Sequence, residues 1–94
     1  MAEAPAAIRL DKWLWQARFV KTRGRAVALI ESGAVRVNAN RVQKPATAIR
    51  TGDGLSFALE GRVHVLRVRA LGLRRGPAPE ARMLYDDLEA APGP

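Results

Sequence analysis

Basic residues stand at the predicted start of a helix, where acidic residues would stabilise the helix better. Thr22 is a favourable N-cap residue, and Lys21, Arg23 and Arg25 surround it. A helix N-terminus has free backbone N–H groups and a partial positive charge, so cations there oppose local stability. Free N–H groups with cationic side chains around them can bind a phosphate group. These four residues therefore predict a phosphate site; the alternative is that the basic side chains simply extend into water.

The preceding predicted helix adds further basic residues. At 100° per residue, Arg9, Lys12 and Gln16 share one helix face, and Arg18 lies one turn further along. If the two helices pack side by side, these cations extend the phosphate site into a groove that follows a nucleic-acid backbone. The alternative is an ordinary solvated face. The shortage of acidic neighbours favours the groove, because solvated faces usually mix both signs of charge.

Positive charge is concentrated in the first half of the chain. The formal net charge is +7, and between residues 8 and 52 ten Lys or Arg residues face only Asp11 and Glu31. This excess predicts an anionic polymer as partner, with structured RNA as the first choice and DNA as a further possibility. A basic protein that binds acidic protein surfaces or anionic lipid is an open alternative.

Groups that catalysis or metal binding needs are missing from the sequence. There is no cysteine, and His64 is the one histidine. Asp86 and Asp87 are adjacent and would point apart on a helix, so they form no paired acid and base. We therefore expect no enzyme activity, no metal, no cofactor and no small-molecule substrate.

Length and hydropathy limit the remaining possibilities. A chain of 94 residues has room for one small domain. No apolar run approaches the roughly 20 residues of a membrane-spanning helix. We expect a cytoplasmic monomer without a membrane partner. The expected divisions are a flexible leader at 1–7, a single RNA-binding domain at 8–88 with its core motif at 8–59 and a hairpin and C-terminal helix at 60–88, and a flexible tail at 89–94.

Two helices are predicted to position the basic residues, because inward-facing residues recur at helical spacing. The second helix should end at Gly33, which suits a left-handed stop. Trp13 belongs to the core, whereas Trp15 lies off the stripe and either packs on a neighbouring element or stacks on a base. The stripes are Leu10, Trp13, Leu14 and Ala17 in the first helix, and Thr22, Ala26, Leu29 and Ile30 in the second.

A hairpin follows the second helix. Residues 35–37 alternate as a strand, a turn contains Asn38 and Asn40, and Arg41 begins the return. Asn38, Asn40 and Arg41 can reach phosphates, 2′-hydroxyls or base edges. Ordinary turn chemistry explains them equally well, because Asn tolerates positive φ.

A second hairpin and a third helix are predicted next. Residues 55–59 alternate as a strand, and Glu60-Gly61 connects them to the following strand. There the apolar positions change parity between Val65 and Leu66, which predicts a bulge or a bend. The third helix should begin at Pro79. Its stripe is Ala81, Leu84, Tyr85 and Leu88.

Several short motifs follow one another at defined spacing along the chain. They are Arg9-Leu10-Asp11-Lys12, Lys21-Thr22-Arg23, Ala26, Leu29-Ile30, Gly33-x-Val35-x-Val37-Asn38, Val42, Lys44-Pro45 and Gly52-Asp53. Together they resemble the RNA-binding domain named after small-subunit ribosomal protein S4, also called the alpha-L motif. Residues 10–23 and 74–85 add a narrower likeness to the heat shock protein 15 branch, and this likeness covers nearly all of the chain.

The resemblance implies an α+β fold in which two N-terminal helices pack on a small bent antiparallel sheet, followed by a short C-terminal helix. It also implies binding of ribosomal RNA on a large ribosomal subunit that carries a stranded nascent chain, with a role in the stress response. The alternative is an RNA-binding appendage or partner of an RNA-modifying enzyme or ribosome-assembly factor. The family's RNA contacts carry over to Arg9, Lys12, Lys21, Thr22, Arg23, Arg25 and Asn38.

Two departures from the family pattern matter. Ala39 replaces the glycine that the family usually has at the hairpin tip, which affects the turn or its RNA contact. The basic C-terminal tail that is common in the heat shock branch is not found after Leu88.

Overall fold

The computed structural model describes residues 6–88, and their architecture confirms the predicted α+β class. The predicted tail and most of the predicted leader lie outside these residues. A 3₁₀ turn at Arg82–Leu84 precedes the last strand. The elements are β1 Ile8–Arg9, α1 Leu10–Gln16, α2 Arg23–Glu31, β2 Val35–Val37, β3 Asn40–Val42, β4 Ala48–Ile49, β5 Gly54–Leu59, β6 Arg62–Val68, α3 Ala78–Ala81 and β7 Tyr85–Asp87.

Five strands form one antiparallel sheet in the order β3-β2-β5-β6-β7. Its inner face contributes Val35, Phe57 and Leu66 to the same buried cluster as Trp13 and Leu14 of α1. Alternation along each strand explains this arrangement, since every second side chain points to the same face. Burying these side chains supplies the main driving force for packing the helices on the sheet.

Helix α1 is buried on more sides than its apolar stripe predicts. The indole N–H of Trp13 donates to the carbonyl of Ala70 at 2.9 Å. Gln16, predicted to share an outer face with Arg9, is 1% exposed, and its side-chain amide donates to the carbonyl of Leu71 at 3.0 Å. The prediction for Gln16 was wrong because the segment after β6 covers a second side of the helix.

A short strand pair that the sequence did not predict holds the start of α1. β1 pairs with β4 in antiparallel register. The backbone amide of Leu10 donates to the carbonyl of Thr47 at 2.9 Å, and the backbone amide of Asp11 donates to the carbonyl of Pro45 at 3.1 Å. These bonds satisfy amides that have no acceptor inside a helix, and they fix where α1 begins.

Helix α2 begins and ends as predicted. Thr22 is the N-cap, and its Oγ1 accepts the amide of Arg25 at 3.1 Å. Gly33 just beyond the helix has a φ of 83°, which is the predicted left-handed stop. Ala26 and Ile30 are fully buried. Thr22 itself is exposed, so its assignment to the inward stripe was wrong; its hydroxyl caps the helix end instead.

Ala39 occupies the left-handed conformation that glycine usually provides. The φ angles of Asn38 and Ala39 are 50° and 71°, and both central residues of the tightest hairpin turns have positive φ. Asn40 opens β3 opposite Val37 rather than lying within the turn. Left-handed backbone costs residues other than glycine roughly 1–2 kcal/mol, so Ala39 strains this turn.

The second hairpin forms at Glu60-Gly61 as predicted, but it contains no bulge. The register between β5 and β6 is continuous from Gly54 opposite Arg67 to Leu59 opposite Arg62. The predicted bulge was therefore wrong. The apolar parity changes because Val63 lies on the outer face, where it is 55% exposed.

The third predicted helix is real but shorter than expected. Residues 78–81 are helical, and the chain then turns into β7, which pairs with β6 and places Tyr85 opposite Val68. The expectation that Tyr85 and Leu88 lie on this helix was wrong. The free edge of β6 provides hydrogen-bond partners, including one from the amide of Leu88 to the carbonyl of Val65 at 2.8 Å.

Candidate nucleic-acid interface

Two arginines from different elements converge on one buried carboxylate. Arg9 Nε and Nη2 donate to Oδ1 and Oδ2 of Asp11, each at 3.0 Å. Arg23 Nη2, at the start of α2, lies 3.4 Å from Oδ2 of the same side chain. The Asp11 side chain is 2% exposed, against 53% for Arg9 and 43% for Arg23. In this Asp11 cluster of Arg9, Asp11 and Arg23, the carboxylate is therefore internal and both guanidiniums are at the surface.

Asp11 is ionised in this environment. Burial by itself raises the pKa of Asp11, but the hydrogen bonds from Arg9 and the Lys12 backbone amide, with the charge of Arg23, outweigh burial. The pKa of Asp11 is held below its usual range as a result. The hydrogen bond with Asp11 and its charge raise the pKa of Arg9. The cluster therefore carries two positive charges and one negative charge at neutral pH.

The Asp11 cluster lies beside the N-terminus of α2, where the sequence predicts a phosphate site. Arg23 is the first residue of that helix, and the exposed Thr22 precedes it. Lys12 is exposed on α1 directly after Asp11. The side-by-side packing of α1 and α2 is the arrangement that the predicted groove required. Arg9, Thr22 and Arg23 thus lie around one helix end, and Lys12 is exposed on the neighbouring helix.

A second set of cations lines a groove on a different side of the same helix end. Arg23 and Arg25 are two positions apart on α2 and therefore point in nearly opposite directions. Arg18, Lys21 and Arg25 border a cavity of about 280 Å³ that Phe19 and Glu60 also line. Among residues 6–88, neither Lys21 nor Arg25 pairs with a carboxylate. Arg18, Lys21 and Arg25 form what we call the cationic groove.

The sequence predicts that Arg18 extends the helix side formed by Arg9 and Lys12, but in the structure Arg18 lies elsewhere. Helix α1 ends at Gln16, and Arg18 adopts a positive φ of 64°. Its Nε donates to the carbonyl of Gly76 at 2.6 Å, which ties the α1–α2 linker to the loop before α3. That prediction was wrong because helical spacing was carried past the end of the helix.

The hairpin tip is engaged within the protein rather than left open. The Asn38 side-chain amide donates to Oδ1 of Asp53 at 3.0 Å, and its Oδ1 accepts the amide of Gly54 at 2.9 Å. The Arg41 guanidinium lies against Gly33, where an added Cβ would collide with it. Asn40 is exposed on β3. Arg41 therefore lies just beyond the C-terminal end of α2, at the opposite end of that helix from Arg23.

The basic loop before α3 packs on α1. Arg75 Nε donates to the carbonyl of Trp15 at 3.1 Å, and the Arg75 guanidinium carbon lies 5.8 Å from the centroid of the Trp15 ring. Arg74 pairs with Glu80 at 2.8 Å. These contacts favour packing, rather than stacking on a base, as the role of Trp15.

The sequence analysis missed that Asp11 is buried and pairs with two arginines. Asp11 was named there as one of few acidic residues and as part of the Arg9-Leu10-Asp11-Lys12 motif, without a structural role. A signal was available, because Asp11 is three positions before the buried Leu14 and so lies near the inward side of α1. A buried acid with basic residues nearby in the chain suggests an internal ion pair.

Two searches bear on other functions. Among residues 6–88, no group of three or more His, Cys, Asp or Glu side chains could hold a metal ion. No helix in the same part of the chain combines the length and the apolar character that crossing a membrane requires.

Comparisons with known proteins agree with the fold and the motifs. The family model of the S4 domain matches residues 8–55. The chain is 41% identical over 88 residues to the heat shock protein 15 homologue of Haemophilus influenzae, a match that covers 94% of this chain and 66% of that protein. Heat shock protein 15 of Escherichia coli K12 is also 41% identical, with 93% and 65% covered. This chain thus spans slightly less than two thirds of the length of either relative.

A solved structure supports the same grouping. Heat shock protein 15 of Vibrio cholerae, described as trimeric, superposes with a TM-score of 0.83 at 35% sequence identity. The match covers 88% of this chain and 83% of that one. From the family match over half of the chain, the relatives and this superposition, the chain belongs to the S4 domain family and groups within it with heat shock protein 15.

Proposed function

We propose that this chain binds structured RNA, without catalysing a reaction on it, through the surface around the start of α2. The observation that carries the proposal is that cations lie on two sides of one helix N-terminus. Arg9 and Arg23 lie on one side, and Lys21 and Arg25 lie on the other. A small anion would occupy one side only, whereas successive phosphates of a nucleic-acid backbone can contact both.

We propose ribosomal RNA of the large subunit as the target, in the recycling of cytoplasmic subunits that carry a stranded nascent chain. Membership of the S4 domain family and similarity to heat shock protein 15 support this target. Co-sedimentation with purified large subunits, and its loss after nuclease treatment, should be observed. Binding that survives nuclease treatment would point to a protein or lipid partner instead.

Salt dependence tests the electrostatic part of the proposal. If about six phosphates are engaged, affinity for a labelled ribosomal RNA fragment should fall by roughly a thousandfold between 50 and 200 mM salt. Arg67→Ala is a suitable control, because Arg67 lies on the outer sheet face opposite Asp86 and outside both sets of cations. Arg67→Ala should change neither the affinity for the RNA fragment nor its salt dependence by much. An affinity that stays flat across this salt range would contradict RNA binding through phosphates.

We propose that a single copy of the chain is sufficient for binding. Both sets of cations belong to one protomer and need no residue from a second copy. Light scattering of the protein with and without a short RNA would test this. A one-to-one complex supports the proposal, and binding that requires three copies, in line with the trimeric description of the Vibrio cholerae relative, contradicts it.

A further inference from the structure

Asp11 places a negative charge directly beneath a surface where the proposed function favours cations. Long-range attraction to a polyanion depends on net charge, so Asp11 should weaken it. Burial of a carboxylate is unfavourable unless it is fully paired. Here Asp11 accepts hydrogen bonds from Arg9, from Arg23 and from the Lys12 backbone amide, the last at 2.7 Å.

These contacts leave part of each guanidinium available to a ligand. An arginine has five N–H donors. Arg9 uses Nε and Nη2 on Asp11, and Arg23 uses Nη2 alone. Among residues 6–88, the Nη1 group of each arginine has no acceptor, and both side chains are about half exposed. Each arginine is therefore held by Asp11 through some of its N–H groups and keeps others available for a ligand.

We propose that Asp11 is a positioning residue that holds the Arg9 and Arg23 guanidiniums so that their free N–H groups meet phosphates of bound RNA. This inference rests on the proposed function. A free arginine side chain loses rotamer freedom when it binds, and the ion pairs with Asp11 remove that freedom before RNA arrives. The affinity gained because the arginines are already oriented thus exceeds the affinity lost because the negative charge of Asp11 weakens long-range attraction to RNA.

A purely structural role for Asp11 makes a different prediction. An acidic residue in the first turn stabilises a helix through the partial charge of its N-terminus. Asp11 also accepts the amide of Lys12, which is one of the first-turn amides that have no acceptor inside the helix. Asp11→Asn keeps the size of the side chain and an oxygen for that amide, but it removes the charge that holds the two arginines.

The sign of the change in RNA affinity separates positioning from net charge. Asp11→Asn adds one positive charge to the protein, so net charge alone predicts tighter binding. Positioning predicts binding weaker by roughly tenfold at fixed salt, because two arginines must then be ordered during binding. In an Arg9→Ala, Arg23→Ala background, Asp11→Asn should no longer weaken binding, because there are no arginines left to position and only the added positive charge remains. A structural role would lower affinity in both backgrounds.

Thermal unfolding of each variant identifies those that remain folded. If Asp11→Asn does not fold, the double variant Arg9→Lys, Arg23→Lys decides, because it keeps every charge and loses the bidentate geometry. Weaker binding by that variant supports positioning, and unchanged binding overturns it. Wild-type protein that fails to bind RNA removes the proposed function and this inference together. Wild-type binding with equal or tighter binding by folded Asp11→Asn overturns the inference alone.

Discussion

The Asp11 cluster and the cationic groove carry the same kind of charge but hold it differently. In the cluster, Arg9 and Arg23 are fixed by a buried carboxylate. In the groove, Lys21 and Arg25 have no carboxylate partner among residues 6–88. A fixed cation has already lost side-chain freedom, whereas a free cation loses it on binding. Equal charge on the two sides of α2 therefore should not give equal affinity.

The two regions should also act at different stages of binding. Unpaired cations of the groove contribute to the field that attracts RNA, which affects the association rate. Oriented donors of the Asp11 cluster act at contact distance, so their loss should mainly increase the dissociation rate. The first prediction depends on the difference in affinity that fixed and free cations should give.

Arg23→Ala should give the largest change, weakening RNA binding by about 1–3 kcal/mol through loss of a charge-assisted contact. Arg25→Ala is the matched control, because it removes the same charge two positions along the same helix end. Its effect should be below about 1 kcal/mol. The protein with Arg23→Ala should remain folded, since Arg9 still pairs with Asp11. Equal losses, measured by fluorescence anisotropy at one salt concentration, would show that only charge matters.

Asn38→Ala should lower the stability of the fold without changing the RNA affinity that the two sets of cations provide. The substitution removes the two hydrogen bonds that join the hairpin tip to Asp53 and Gly54. We expect a loss of about 1–2 kcal/mol in the free energy of unfolding, measured by urea titration. RNA affinity of the folded variant should match that of wild type. A selective loss of affinity would place Asn38 in the interface, as the family resemblance implies.

Ala39→Gly should stabilise the protein by about 1 kcal/mol or less. Glycine relieves the left-handed strain at a φ of 71°, and its greater freedom in the unfolded chain offsets part of that gain. The midpoint of thermal unfolding should rise slightly, with unchanged RNA affinity. A fall in the midpoint would mean that the turn is not strained.

Acid should neutralise the carboxylate that holds the two arginines of the Asp11 cluster. The pKa of Asp11 is lower in the folded protein than in the unfolded chain. The ionised carboxylate therefore stabilises the fold fully above the unfolded pKa, and this stabilisation is lost as the pH falls through the folded pKa. The stability difference between wild type and Asp11→Asn should be constant near neutral pH. It should shrink below the ordinary pKa of aspartic acid. A difference that persists in acid would assign it to packing rather than charge.

Local patterns in the sequence were enough to predict the elements around the site. Thr22 and Gly33 mark the two ends of α2, because capping and left-handed stops depend on a few neighbouring residues. The hairpin at Glu60-Gly61 follows from turn chemistry for the same reason. The concentration of cations in the first half of the chain is a property of composition. The phosphate site at the start of α2 was likewise predicted from the sequence, and it stays a prediction that RNA binding by the variants above would test.

Contacts between distant segments decided the rest. The sequence alone could not show that the loop after β6 buries Gln16, or that the edge of β6 draws Tyr85 into a strand. Nor could it place Arg18 against Gly76, 58 positions away. Whether Asp11 opposes the cations or orients them depends on which surfaces cover α1, since burial and pairing set the role of a carboxylate. Residue types thus determined the charge of this protein, and tertiary packing decided which of its charges are held in place.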